Sequence, residues 1–150
     1  MTLNEISVSI RKVRHDDVEA IERIYEVITK KALKIDFREL RNDQFEQRGS
    51  ESTCFVAEFE GNVVGFMISH VMTFSFGLEK SAWIATMGVE PKYMGQQIGA
   101  RLAGEIIEYY KGRGITNIYT SVQWDATDVV SFFKTLGFHR SDFINLKKSL

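Results

Sequence analysis

Cysteine and proline are almost missing from this chain: among 150 residues there is one of each, Cys54 and Pro91. A lone cysteine cannot close an internal disulfide, which excludes a cystine-stapled fold and points to a reducing, cytoplasmic setting. The three histidines, His15, His70 and His139, stand far apart in unrelated local patterns, so no metal-ligand spacing arises. Surplus charge is absent too: 19 basic residues against 20 acidic ones leave no basic stripe for binding nucleic acid. The longest apolar runs, such as NVVGFMISHVM, stop well short of the roughly 20 residues a membrane span needs. The N-terminal stretch MTLNEISVSIRKV scatters charges where a signal peptide has a continuous apolar core.

What remains is a 44% hydrophobic chain of the size of one compact domain, spanning 1–150. SVSIRKV alternates as a half-buried strand does, and RHDDVEAIERIYEVITKKAL shifts to a helical period with Val18, Ile21, Tyr25 and Ile28 on one face. Asp16 and Glu19 have the spacing of a capping box at that helix start. A second, more polar helix is expected over IDFRELRNDQFEQRGS, where Asp36 and Glu39 lie on a solvated face or meet a cationic amine. TCFVAEFEGNVVGFMISHV reads as two strands joined at Gly61-Asn62, a hairpin signal, with Cys54 as core filler.

The segment carrying Phe74, Phe76 and Leu78 is expected to be a loop that walls an acceptor pocket or touches another subunit. AWIATMGVEP then gives a further strand stopped by Pro91. From Gly95 the pattern turns helical through Ile98, Leu102 and Ile106. NIYTSVQW reads as a strand, VVSFFKTL as a helix capped by Thr127 or Asp128 and closed by Gly137, and FHRSDFINLKK as a last strand. The expected fold class is α/β: a mixed sheet with an antiparallel centre and one βαβ crossover, flanked by helices.

That crossover contains YMGQQIGARLAG, three glycines at the mouth of a helix. Their spacing matches neither G-x-G-x-x-G nor a Walker loop. A strand leading through a short loop into a helix nevertheless offers unpaired amides and the positive end of a macrodipole to a phosphate. The competing explanation is that Gly95, Gly99 and Gly104 let the helix pack closely on its neighbours.

MGVEPKYMGQQIGARL, together with LGF at 136–138, resembles the acetyl-coenzyme A signature of the GNAT superfamily of N-acetyltransferases, and the order of elements is similar along essentially the whole chain. The resemblance implies acetyl-CoA as cofactor. Met87 and Val89 then lie on the strand whose backbone pairs with the pantetheine arm. Met94, Gly95, Gln96, Gln97, Ile98 and Gly99 form the pyrophosphate loop, with Ala100 starting the helix and a backbone amide near Gly88 or Val89 facing the thioester carbonyl. Met94 replaces the family's Arg/Gln and Gln97 replaces its first loop glycine. A glycine at positive φ there would be costly to replace.

Alignment on LGF sets Phe133 where the family carries a tyrosine acid on the last helix, which makes Phe133 a cofactor-binding residue by the resemblance, and Ala126 where it carries an asparagine. SAWIAT, on the strand before the loop, has Trp83 and no carboxylate. Asp125, at the C-terminal end of the strand NIYTSVQW with Gln123 two residues earlier on the same strand face, is the remaining candidate to bind or deprotonate an amine, although capping the following helix explains it as well. The implied activity is transfer of an acetyl group to a primary amine of a small molecule or peptide, by direct attack in a ternary complex. Two alternatives stay open: a non-catalytic coenzyme A binding or regulatory module, and a structural interaction domain. Oligomeric state is also open, the aromatic loop favouring a homodimer.

Overall fold

Two separate apolar surfaces sandwich a five-stranded sheet, and the sequence periods above account for both. The computed structural model describes residues 7–31, 53–73 and 79–150. The expected second helix, with Asp36 and Glu39, and the loop bearing Phe74, Phe76 and Leu78 lie outside them. The chain runs β1 (Val8–Lys12), α1 (Val18–Thr29), β2 (Cys54–Phe59), β3 (Asn62–Met72), β4 (Ser81–Val89), α2 (Ile98–Lys111), β5 (Ile118–Thr120) and α3 (Thr127–Thr135). Strand order follows chain order, with β1 to β4 antiparallel and β4 to β5 parallel. The antiparallel centre and the single βαβ crossover are both present, with α2 as the crossover helix.

On one face α1 buries Ile21 and Ile24 against Cys54, Val56, Val63, Phe66 and Ile68. The other face carries α2 and α3: Leu102, Ala103, Ile106 and Phe133 pack with Val64, Met67, Ala82 and Ile84. Ile24, fully buried, does more for α1 than the expected Ile28, which is 36% exposed. Tyr110, near the end of α2, is fixed to the sheet by a buried polar network. Its hydroxyl lies 2.6 Å from Ser69 Oγ and accepts a bond from the Thr53 amide, while Ser69 Oγ donates to the Thr53 carbonyl.

Several boundaries differ from the sequence reading. The hairpin turn is Glu60-Gly61, one residue earlier than expected, with φ of 51° and 80° as a tight two-residue hairpin requires. A 3-10 turn over His15–Asp17 precedes α1. There Asp17, rather than Asp16 or Glu19, accepts the Arg14 amide, because Arg11 also draws its carboxylate inward. No side chain caps α3, so Thr127, Asp128 and Asp125 do not have that role. NIYTSVQW keeps only Ile118–Thr120 as strand, since β4 and β5 diverge beyond the Ile84–Thr120 pair and leave residues 121–126 without a neighbouring strand. FHRSDFINLKK forms no strand of the sheet. Its alternation is real, but a strand also needs a neighbour to complete its backbone hydrogen bonds.

Candidate acyl-donor site

β4 builds one wall of the site. Its pairing with β3 slips between Ile68 and Ser69, so that Ala85 is an extra residue, and Ala85 is exposed in the middle of an otherwise largely buried strand. Up to Ile84 the other edge of β4 is occupied by β5, and the Thr120 hydroxyl donates to the Ile84 carbonyl at 3.0 Å. Beyond that point the two parallel strands part. From Thr86 to Val89 β4 is paired with β3 only.

Backbone alternation decides which groups face the gap. The Glu90 amide donates to the Val64 carbonyl on β3. Residues two apart on a strand turn their N–H and C=O the same way, so Gly88, opposite Phe66, is also turned to β3. Met87 and Val89 therefore present their N–H and C=O to the gap. This corrects the expectation for Gly88, whose amide is engaged by the sheet. Gly88 has a different use: a Cβ there would lie 2.8 Å from Phe66 and 2.9 Å from Ile28, so its smallness lets α1 close on β4.

The loop after β4 leads through a 3-10 turn at Pro91–Tyr93 to α2. Gly95 has φ 80° with open space where a Cβ would stand, and Gln97, the residue before the helix, has φ 65° and ψ 12°. Gln97, which stands where the resemblance places a loop glycine, is thus itself in the left-handed region. No side chain caps α2 at Gln97, and the first intrahelical bond runs from the Arg101 amide to the Gln97 carbonyl. The amides of Ile98, Gly99 and Ala100 consequently point out of the helix start, where the macrodipole is positive. Met94 is 53% exposed beside this loop, while the Ile98 side chain is buried in the core.

Gly99 and Gly104 divide the two explanations offered for the glycines. A Cβ at Gly99 would stand 3.1 Å from the Phe132 ring and 3.4 Å from Met87 Cε, so this glycine does seat α2 against α3 and β4. One at Gly104 would meet nothing within 4 Å, and one at Gly95 would also be free. Close packing explains Gly99 alone.

The remaining expected residues do not converge. Phe133 is buried in the core, its ring 5.1 Å from those of both Phe132 and Phe138, so it offers neither a hydroxyl nor a surface to the gap. Asp125 and Gln123 lie in an exposed turn beyond the end of β5, rather than on one strand face. Cys54 is buried, and burial pushes its thiol far above the usual range, which makes it inert as an acyl carrier. Phe132 and the extra residue Ala85 escaped the sequence reading. A bulge has no sequence signature in a strand as apolar as β4, and the two adjacent phenylalanines can be told apart only by packing.

One face of the parallel pair also carries a polar and aromatic row. His70, Trp83 and Tyr119 are cross-strand partners, and Trp83 stacks on Tyr119 at 4.9 Å. Ala82, Val71 and Ile118 pack on the α2 side, so the row lies on the α1 side. Burial holds the His70 ring below its ordinary pKa, hence neutral at pH 7.

Comparison with known proteins matches this geometry. Residues 18–138 match the acetyltransferase (GNAT) family. An uncharacterised N-acetyltransferase of Methanocaldococcus jannaschii is 32% identical over 96 residues, 63% of this chain and 42% of that protein. A mycothiol acetyltransferase of Amycolatopsis mediterranei is 28% identical over 107 residues, covering 69% and 36% of the two chains. The chain thus matches less than half the length of these relatives. Among solved structures, an aminoglycoside acetyltransferase from an uncultured soil metagenomic sample superposes with a TM-score of 0.79 at 19% identity, over 97% of this chain and 98% of that one. An aminoglycoside N-acetyltransferase in complex with CoA gives 0.80 at 12% identity, over 95% and 94%. A five-stranded mixed sheet whose parallel strands part beside a left-handed loop, together with the match over 18–138, places this chain in the GNAT family of acetyltransferases.

Proposed function

We propose that this chain is an acetyl-CoA-dependent N-acetyltransferase that moves the acetyl group to a primary amine by direct attack in a ternary complex. The observation that carries the reading is the gap between β4 and β5, lined by the outward backbone groups of Met87 and Val89 and closed by the uncapped start of α2. Its dimensions of chemistry suit a long donor: amides at 98–100 and the left-handed loop for the pyrophosphate, an open strand edge for the amide-bearing arm.

In this reading the amine nitrogen bonds to the thioester carbonyl carbon as the carbon–sulfur bond breaks. The outward amide of Met87 or Val89 is the donor available to the carbonyl oxygen as negative charge develops on it. The attacking ammonium must first lose a proton, and water at the open end of the gap is the acceptor we assign; Asp125, in the exposed turn beyond β5, is reached only through such water and is the carboxylate to test. With no hydroxyl at Phe133, the departing thiolate takes its proton from the amine or from solvent. The two solved neighbours reported above are aminoglycoside acetyltransferases, and a small-molecule amine is the acceptor class we favour for this chain as well. The rival reading, a coenzyme A binding module without turnover, is favoured specifically by the buried Phe133.

Steady-state kinetics with a panel of amines, following release of the free thiol, tests the proposal. Lines that intersect when donor and acceptor are varied support direct attack, parallel lines mean a covalent acyl-enzyme, and binding without turnover favours the module. Asp125→Asn with unchanged turnover across pH removes that residue from the mechanism.

A further inference from the structure

Ser69 interrupts an apolar row. Met67 and Val71, its neighbours on the α2 side of β3, pack with the core, whereas Ser69 brings a hydroxyl into the same layer and is fully buried. A buried hydroxyl is costly unless it is bonded, and an apolar residue would fill the place more cheaply. Its position is also particular. Ile84 and Ala85 together oppose Ser69, which makes it the β3 residue across from the β4 bulge.

That bulge decides which backbone groups reach the gap. Before it, the Ala82 amide donates to the Asn117 carbonyl and the Ile84 carbonyl accepts from Thr120, so the even-numbered residues of β4 face β5. After it, Met87 and Val89 face that side. A continuous ladder would keep Thr86 and Gly88 there and turn Met87 and Val89 to β3. One extra residue therefore transfers the gap from one set of amides to the other.

Three elements meet at Ser69 in a closed ring of hydrogen bonds. Its amide and its hydroxyl both donate to the Thr53 carbonyl, at 3.1 and 2.6 Å. With the Ser69 proton so used, the Tyr110 hydroxyl, 2.6 Å away, is the donor to Ser69 Oγ. The Thr53 amide completes the ring by donating to Tyr110 at 3.2 Å. Burial pushes the Tyr110 hydroxyl above its ordinary pKa, so the ring stays uncharged. Tyr110 also stands near the opposite end of α2 from the loop amides at 98–100, about 18 Å along the helix axis from Ile98.

We propose that Ser69 and Tyr110 are positioning residues of the donor site: they lock the β4 bulge opposite Ser69 and fix the axial seat of α2. The lock aims the Met87 and Val89 amides into the gap and holds them at a set distance from those at 98–100. Without it the bulge is free to migrate along β4, and the choice of gap-facing amides migrates with it. The effect on the donor rests on the acetyl-CoA reading of the gap; the lock on the bulge does not.

Amide hydrogen exchange, resolved by residue on the ligand-free full chain, tests the lock. In the parent, the Thr86 and Gly88 amides are expected to be slow and those of Met87 and Val89 fast. Ser69→Ala and, separately, Tyr110→Phe are expected to speed exchange at Thr86 and Gly88 at least about tenfold more than in the β1–β2 ladder. A purely structural loss speeds both regions by the same factor, as Ile21→Val in the opposite core is expected to do, and that result in the two variants overturns the proposal. Either variant decides should the other fail to fold. The infrared carbonyl band of bound acetyl-CoA gives the second readout. A backbone donor lowers the thioester stretch, and both variants are expected to return the band toward its position in free acetyl-CoA. A band equal to the parent's in both overturns the assigned positioning role. A parent chain that binds no acetyl-CoA refutes the acetyl-CoA reading instead, and exchange at Thr86 and Gly88 still decides the lock.

Discussion

Gln97 holds at φ 65° the left-handed backbone that Gly95, two residues earlier, adopts at φ 80°. A side chain in this region costs about 1–2 kcal/mol, and the loop tolerates it for the sake of its shape. Replacing Gln97 by glycine is therefore expected to leave stability unchanged or raise it by up to about 1 kcal/mol, with acetyl-CoA affinity retained. Gln97→Val, whose branched side chain tolerates positive φ worst, is expected to lose about 1–2 kcal/mol and to weaken acetyl-CoA binding. Thermal unfolding with and without acetyl-CoA measures both effects, and a valine variant equal to the parent would remove the loop conformation from the account.

Two glycines five residues apart on α2 should respond with opposite signs. Gly104→Ala finds open space and is expected to stabilise the chain by about 0.5–1 kcal/mol through helix propensity. Gly99→Val drives a side chain into Phe132 and Met87, and a loss of about 1–3 kcal/mol is expected from overpacking. Urea unfolding of the pair separates them; equal effects would contradict the assigned packing role of Gly99.

Tyr110→Phe keeps the ring in its buried site but removes the hydroxyl shared with Ser69 and Thr53. The Thr53 amide is then buried without that acceptor, at an expected cost of about 1–3 kcal/mol. Equilibrium unfolding should register this with no change in the circular dichroism spectrum. A neutral substitution would show that the network contributes nothing net.

Acid should weaken the fold through Asp17. Burial pushes its carboxyl up, but hydrogen bonds from the Arg11 guanidinium and the Arg14 amide outweigh that and hold it below the usual carboxylate range. A group with a lowered folded pKa stabilises above its unfolded value and loses that contribution as pH falls through the folded one. Unfolding free energy is expected to fall between about pH 5 and about pH 3, and Asp17→Asn to start lower and vary less over that span. An identical acid slope in the variant would assign the effect to other carboxylates.

Much of this architecture was legible in the residues. The helical period of α1, the strands of the meander, Pro91 after β4 and Gly137 after α3 each state a local preference strong enough to survive folding. The candidate loop was legible as a loop but not in conformation, because a positive φ at Gln97 is set by the turn it joins and not by glutamine. What failed did so for want of partners. NIYTSVQW and FHRSDFINLKK both alternate like strands, yet strand length depends on a neighbour, and β4 turns away after Ile84. Asp125 was linked to the site on the assumption that β5 continued to Trp124, and the parting of the strands removes that support. Phe133 and Phe132 carry the same residue type, so only packing reveals that one is core and the other rests on Gly99.

The central claim is that the β4–β5 gap and the loop at 94–99 hold acetyl-CoA. Calorimetric titration of the purified chain with acetyl-CoA tests it most directly, with ATP as a control for phosphate binding alone. The account predicts a one-site isotherm for acetyl-CoA that ATP does not reproduce, accompanied by thermal stabilisation. No heat and no stabilisation at saturating acetyl-CoA would contradict it.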